Sequence, residues 1–240
     1  MVIPVNLTHF QKLNEEIKAC PDIEITLDNC NGQRYLASGL SGKKLTINGT
    51  PGNALGAYMN GSTVEVFGNA QDATGDTMND GEVIIHGNCG DATGYGMRGG
   101  RILVEGNCGY RGGIHMKAYQ DKLPVLVIGG QAGSFLGEYQ AGGLIIVLGK
   151  GAGGKPPVSY FCGTGMHGGK IVLRCEEAPQ GLPRQVLVSD ATEADLSEIE
   201  PHIAAFCEHF GGDAGEILSG RFFVLTPNPE AGYHQLYTFN

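Results

Sequence analysis

The chain has 240 residues, of which 40 are glycine; 41% are hydrophobic, and 16 basic against 25 acidic side chains give a formal charge of −9. The glycines keep no period of three, which excludes collagen, and the aliphatic content excludes a disordered linker. The acidic balance, with no Lys/Arg cluster, argues against a nucleic-acid or anionic-membrane partner. No apolar run reaches the ~18 residues of a spanning helix. The opening MVIPVNLTHF lacks a basic segment ahead of an apolar one, so a cytoplasmic location is expected.

In chain order, Thr8–Cys20 predicts a short helix, with Thr8 and Gln11 as a capping box and Phe10, Leu13 and Ile17 on one face. Eight β-rich runs follow: IEITLDN, LTING, VEVFG, VIIHG, ILVEG, VLVIGG, LIIVLG and IVLRC. The frame recurs every 19 residues. Gly49, Gly68, Gly87 and Gly106 form one column, and Gly56, Gly75, Gly94 and Gly113 a second. Met59, Met78, Met97 and Met116 form a third, and Asn69, Asn88 and Asn107 a fourth. Later steps are longer, which predicts inserts around Lys117–Pro124 and Lys150–Phe161. After Cys175 the repeat is lost. QVLVSD reads as a strand and TEADLSEIEPHIAAFCEHFGG as a helix, capped by Thr192 or Asp190, ended by Gly211 and kinked or broken at Pro201. RFFVLTPNP reads as one more strand, and the chain ends with YHQLYTFN.

A 19-residue unit is too short for a helix pair. It suits one rung of an all-β solenoid, a single-stranded parallel β-helix, with strands about 4.8 Å apart. Glycines then serve as turns or as points where rungs approach closely. Like residues stack on like, so the methionine column is a core ladder and the asparagine column a hydrogen-bonding one. One domain is expected overall: a helical cap over 1–23, the repeat over 24–175, and a helix-plus-strand cap over 176–240.

The period of two sorts the strand faces. Leu45 and Ile47, Val64 and Val66, Val83 and Ile85, Ile102 and Val104, Val125 and Val127, Ile145 and Val147, and Ile171 and Leu173 are assigned inward, with a Met or Tyr139 completing each rung. On the outer face early rungs carry Thr46, Asn48 and Glu65, but later ones carry Ile84, Leu103, Leu126, Ile128, Ile146 and Leu148. An apolar stripe of this kind needs a cover, either the chain's own terminal segment or another subunit. The six stripe residues are the candidate partner interface.

Other motifs carry less. Gly94–Gly99 and Gly163–Gly168 match G-x-G-x-x-G, but both precede a strand and neither opens a helix. Gly149–Lys155 matches the start of a phosphate loop, yet Pro156 and Pro157 follow where Ser or Thr and a helix are needed. His115 and His167 lack further ligands at metal spacing. Seven cysteines without C-x-x-C read as free thiols. No catalytic, cofactor-binding or metal-binding residue is therefore assigned.

The frame that ends in GTGMHGGKIVLR, together with GYRGGIHMKAYQDKLPVLVIGGQAGSFLGEYQAGGLIIVLG, resembles the glycine-repeat (GXGXG) domain at the C-terminus of the glutamate synthase large subunit, especially its free-standing form. One subunit of formylmethanofuran dehydrogenase shares the repeat. The resemblance implies a right-handed β-helix without catalytic residues, which positions a glutaminase and an FMN-dependent, iron–sulfur synthase for glutamate formation. FMN and clusters are then expected in partner subunits. The chain lacks both a cysteine after Met1 and a cysteine cluster, which fits that division. The alternatives are a scaffold like the glycine-repeat subunit of a formylmethanofuran dehydrogenase and, from a different class, a stand-alone β-helix enzyme. Self-association stays open.

Overall fold

The computed structural model describes residues 1–230; residues 231–240, the end of the cap expected over 176–240 and the site of YHQLYTFN, lie outside the described residues. In chain order the elements are β1 (Val2–Pro4), α1 (Phe10–Ala19), β2 (Glu24–Asn31), β3 (Lys44–Thr50), β4 (Asn60–Phe67), β5 (Asp80–Ile85), β6 (Arg101–Val104), β7 (Val125–Ile128), β8 (Ala141–Val147) and β9 (Gly168–Arg174). There follow β10 (Val186–Asp190), α2 (Glu193–Phe210), α3 (Ala214–Leu218) and β11 (Phe222–Pro227). No helix among the described residues is long and apolar enough to cross a membrane.

All the strands join one open sheet in the order β1-β2-β3-β4-β5-β6-β7-β8-β9-β11-β10. The run from β1 to β9 is parallel, and β11 lies antiparallel between β9 and β10. Register follows the repeat: Leu45 pairs with Val64, Val64 with Val83, and Val83 with Ile102. The turns stack as well. Ala54 N–H donates to Asp72 O, Ala73 N–H to Asp91 O and Ala92 N–H to Tyr110 O, each at 2.8 Å. Neighbouring repeats are thus bonded along strand and turn, which leaves few backbone groups unpaired inside the stack.

The asparagine column continues this ladder with side chains. Asn69 Oδ1 accepts from Asn88 N–H at 2.8 Å, Asn88 Oδ1 from Asn107 N–H at 2.7 Å, and Asn107 Oδ1 from Gln131 N–H at 2.8 Å. Such bonds contribute about 0.5–1.5 kcal/mol each. The adjacent glycine column gives them room: a Cβ on Gly87 would stand 2.5 Å from Asn69 Oδ1 and 2.7 Å from Gly68 O.

Inside, Leu45, Ile47, Val64, Val66, Val83, Ile85, Ile102, Val104, Ile145, Val147, Ile171 and Leu173 share one core cluster with Met59, Met78, Met97 and Met116. Two inward assignments need correction. In β7 the inner residues are Leu126 and Ile128, which pair with Ile102 and Val104, while Val125 and Val127 face outward. The run VLVI is apolar on both faces, so period two gives no phase. Tyr139 is exposed, and the fully buried Gln140 takes the methionine position, donating from Nε2 to Gly143 O at 3.0 Å. Leu13 and Ile17 of α1 join the same core. The N-cap of α1 is His9 rather than Thr8, because the His9 side chain accepts from Gln11 N–H. β1 and α3 are further elements, each too short to show a period in the sequence.

The outer stripe is covered by the chain itself. Ile84, Leu103, Val125, Val127, Leu144, Ile146, Leu148 and Val172 form a second buried cluster with Ile199, Ile203, Ala205 and Phe206 of α2 and Phe222 and Val224 of β11. Burying Ile199, Ile203 and Phe206 contributes about 5–9 kcal/mol at about 1.5–3 kcal/mol per side chain. The assignment of Ile84, Leu103, Leu126, Ile128, Ile146 and Leu148 as a partner interface is therefore overturned: four lie beneath α2 and β11, and Leu126 and Ile128 belong to the inner core.

Helix α2 begins at Thr192, whose Oγ accepts from Asp195 N–H while Asp195 Oδ2 accepts from Thr192 N–H. It runs unbroken through Pro201 and stops at Gly211, whose φ is 77°. Lys170 Nζ of β9 donates to Asp195 Oδ1 and Glu198 Oε2, both at 2.7 Å, and ties the first turn of α2 to the sheet.

Candidate interaction surface

With the strand stripe covered, the turns between strands become the candidate surface. Each repeat places three alternating residues in the left-handed region. They are Tyr35, Ala37 and Gly39; Ala54, Gly56 and Tyr58; Ala73, Gly75 and Thr77; Ala92, Gly94 and Gly96; Arg111, Gly113 and His115; Phe135, Gly137 and Tyr139; and Phe161, Gly163 and Gly165. Numbered in this order, they form seven stacked corners. The alternation aims the first and third N–H of each of the first six corners at the next repeat: beside the Ala54, Ala73 and Ala92 bonds above, Tyr58 donates to Asp76 O, His115 to Glu138 O and Tyr139 to Thr164 O.

For an L-residue, left-handed backbone costs about 1–2 kcal/mol. Glycine avoids that cost, and the middle position is glycine in six of the seven corners. The flanking positions nevertheless carry Tyr35, Tyr58, Arg111, His115, Phe135, Tyr139 and Phe161. Strained conformations persist where the surroundings over-determine them, and they cluster at functional sites. Here the strained residues project side chains on one rigid face. His115 stacks on Tyr139 at 5.2 Å with an interplanar angle of 12°, and Tyr95 meets His115 edge-on at 5.7 Å. On the neighbouring column Phe135 stacks on Phe161 at 5.0 Å, and the Arg111 guanidinium lies 5.0 Å above Phe135. Arg111 Nε also donates to Glu138 Oε2 at 3.0 Å, which holds it along the face. Tyr35, Tyr58, Tyr95, Tyr110, Tyr139, Tyr160 and Phe161 are all exposed. Tyrosine and arginine are the side chains that protein interfaces favour. The signal in the sequence is aromatic residues beside the recurring turn glycine, a pattern that lies outside the strand periodicity.

The remaining sequence candidates fall into structural places. Gly94–Gly99 and Gly163–Gly168 are corners that lead into β6 and β9. Gly149–Lys155 is a loop that leads to another turn rather than a helix. His115 belongs to the aromatic stack, and His167 Nδ1 lies 3.3 Å from Gly165 O. No group of three or more His, Cys, Asp or Glu side chains suited to a metal gathers among the described residues. The seven cysteines are free, and all but Cys207 are buried. Burial pushes the Cys30 and Cys175 thiols up to about 11 and Cys162 to about 12, so these three stay protonated and poor nucleophiles at neutral pH. Cys108 is likewise pushed well up, first by its stacked neighbour Cys89 and then by burial.

Comparison with known proteins agrees on the repeat. The pattern described as the GXGXG motif matches residues 22–225. An uncharacterized protein of Methanocaldococcus jannaschii is 45% identical over 251 aligned residues, which span 99% of this chain and 96% of that protein. The fold is similar to that of a chain in the formyltransferase/hydrolase complex FhcABCD of Methylorubrum extorquens, solved with methylofuran. That likeness has a TM-score of 0.66 and covers 84% of this chain and 72% of that chain at 20% identity, so it concerns fold alone. A match across most of the stacked repeat, with a full-length relative alongside, places this chain in the GXGXG motif family.

Proposed function

We propose that the chain is a non-catalytic structural subunit of a multi-subunit enzyme, built as a right-handed parallel β-helix that holds catalytic partners in fixed relation. The observation that carries this reading is the row of strained, exposed aromatic corners on a rigid stack whose apolar strand face is already covered. Membership of the GXGXG family supports a subunit role, as does the similarity of fold to a chain of a multi-subunit complex.

Two assemblies fit. In a glutamate synthase the partners are a glutaminase subunit and an FMN- and iron–sulfur-bearing synthase subunit, and the support is the GTGMHGGKIVLR repeat. In a formylmethanofuran dehydrogenase the chain takes the place of the glycine-repeat subunit. The second reading has the stronger structural support, because the formyltransferase/hydrolase complex supplies the similar fold. Both place the cofactors in partners, in the cytoplasm.

Purification of the tagged chain from its own host, followed by mass spectrometry of stoichiometric partners, tests the proposal. A glutaminase with an FMN protein selects the first assembly, and molybdopterin-type subunits select the second. A chain that purifies alone, or that turns over a sugar or acyl donor by itself, overturns the structural-subunit reading.

A further inference from the structure

We propose that the turn face over the fourth to seventh corners docks an acidic surface of the partner enzyme subunit. The inference rests on the structural-subunit reading and adds the place and the chemistry of the contact. The residues are Tyr95, Arg98, His115, Lys117, Tyr139 and His167. Arg98, Lys117 and His167 each stand two residues beyond the last left-handed position of their corner, after Gly96, His115 and Gly165. Their amides continue the ladder: Arg98 N–H donates to Met78 O, Lys117 N–H to Met97 O and His167 N–H to Gln140 O. The three side chains therefore rise from one column beside the Tyr95–His115–Tyr139 stack.

All six are exposed. Arg98 and Lys117 form no ion pair among the described residues, whereas Arg101, Arg111, Lys122, Lys170 and Arg221 each hold a carboxylate. The one acid within these four corners, Glu138, is buried and already engaged by Arg111. The result is a cationic, aromatic patch on a chain of net charge −9. That charge opposes a second copy and a polyphosphate alike, and it favours a protein face whose acids meet Arg98 and Lys117 locally. Glycine at the equivalent positions of the fourth and seventh corners, Gly96 and Gly165, indicates that the fold does not need bulk there. His115 and Tyr139 hold φ values of 56° and 53° all the same, so their side chains serve something outside the chain.

The test uses the complex purified from the host. A photo-reactive benzoylphenylalanine at Tyr139 should cross-link to one partner subunit, within a segment rich in Asp and Glu, and the same probe at Leu187 on β10 should not. Arg98→Glu with Lys117→Glu should lower partner recovery about tenfold or more. A second variant separates binding from folding. Tyr139→Gly with His115→Gly should weaken binding to the same extent while leaving the urea midpoint equal or higher, because it removes two left-handed side chains. If a partner co-purifies but cross-links elsewhere, or the charge reversals leave it bound, the docking inference fails and the subunit reading stands. A cross-link to a second copy of the chain, or nucleic acid bound at the patch, also overturns it. If no partner is recovered with the unaltered chain, both fail.

Discussion

Phe206→Ala tests the cover on the strand stripe most directly. The ring is 1% exposed, meets Phe210 at 4.7 Å and 60°, and has Lys150 Nζ 5.8 Å from its centroid. On the sheet side it presses on Gly129, where a Cβ would come within 2.7 Å of Phe206 Cζ. Removing the ring loses its transfer free energy and leaves a cavity, together about 3–5 kcal/mol for a buried Phe→Ala change. The hydrogen-bonded stack beneath has little freedom to collapse, so the expected loss is about 4 kcal/mol, against a typical total of about 5–15. Urea unfolding followed by circular dichroism reads the loss; the chain has no tryptophan to follow. A fluorescent apolar dye should bind at low urea, because weakened docking of α2 bares Leu103, Val127 and Ile146. Glu208→Ala, exposed on the same helix, should fall within about 0.5 kcal/mol of the parent. A Phe206→Ala loss below about 1 kcal/mol, with no dye binding, would refute the claim that α2 seals the sheet.

Further outcomes follow from the corners and from the anchor of α2. Ala92→Gly at φ 54° should leave stability unchanged or raise it by about 1 kcal/mol, since relief of left-handed strain exceeds the added freedom of the unfolded chain. Gly75→Ala should cost about 2 kcal/mol or more, because φ is 72° and the new methyl meets Ile102 Cδ1; urea midpoints decide both. Asp195 is held down to about 2, first by Lys170 and then by Thr192. Its folded value lies below the unfolded one, so its contribution is full above about pH 4 and is lost as pH falls through about 2. Helical dichroism should therefore fall before the β signal on acidification, and Asp195→Asn should flatten that early step. Lys170 is raised, first by Asp195, so its share holds below its ordinary value and is lost as pH rises through the raised one.

Much of the architecture was legible because parallel stacking writes the same residue into the same place. Met59, Met78, Met97 and Met116 are fully buried at equivalent points, and the asparagine column bonds as a ladder. Legibility failed where two physical demands coincide. β7 is buried on both faces, so alternation carries no phase in VLVI. The outer stripe was visible, but its cover comes from a helix far along the chain, and sequence pattern does not say which apolar faces meet. The corners are legible as turns from their glycines, but their outward side chains are not, because a left-handed position favours glycine and has no pattern that marks the tyrosine beside it.

The cover over the stripe also sets a timetable for synthesis. Ile84 leaves the ribosome roughly 120 residues ahead of Phe206, the side chain that closes over its face. At about 5–20 residues per second, the nascent sheet carries a growing apolar strip for roughly 6–24 seconds before α2 exists. Over that interval the half-made chain presents a surface that chaperones recognise, and release before residue 206 leaves it uncovered. C-terminal truncations that keep every strand of the repeat but omit α2 are therefore expected to aggregate rather than shorten cleanly.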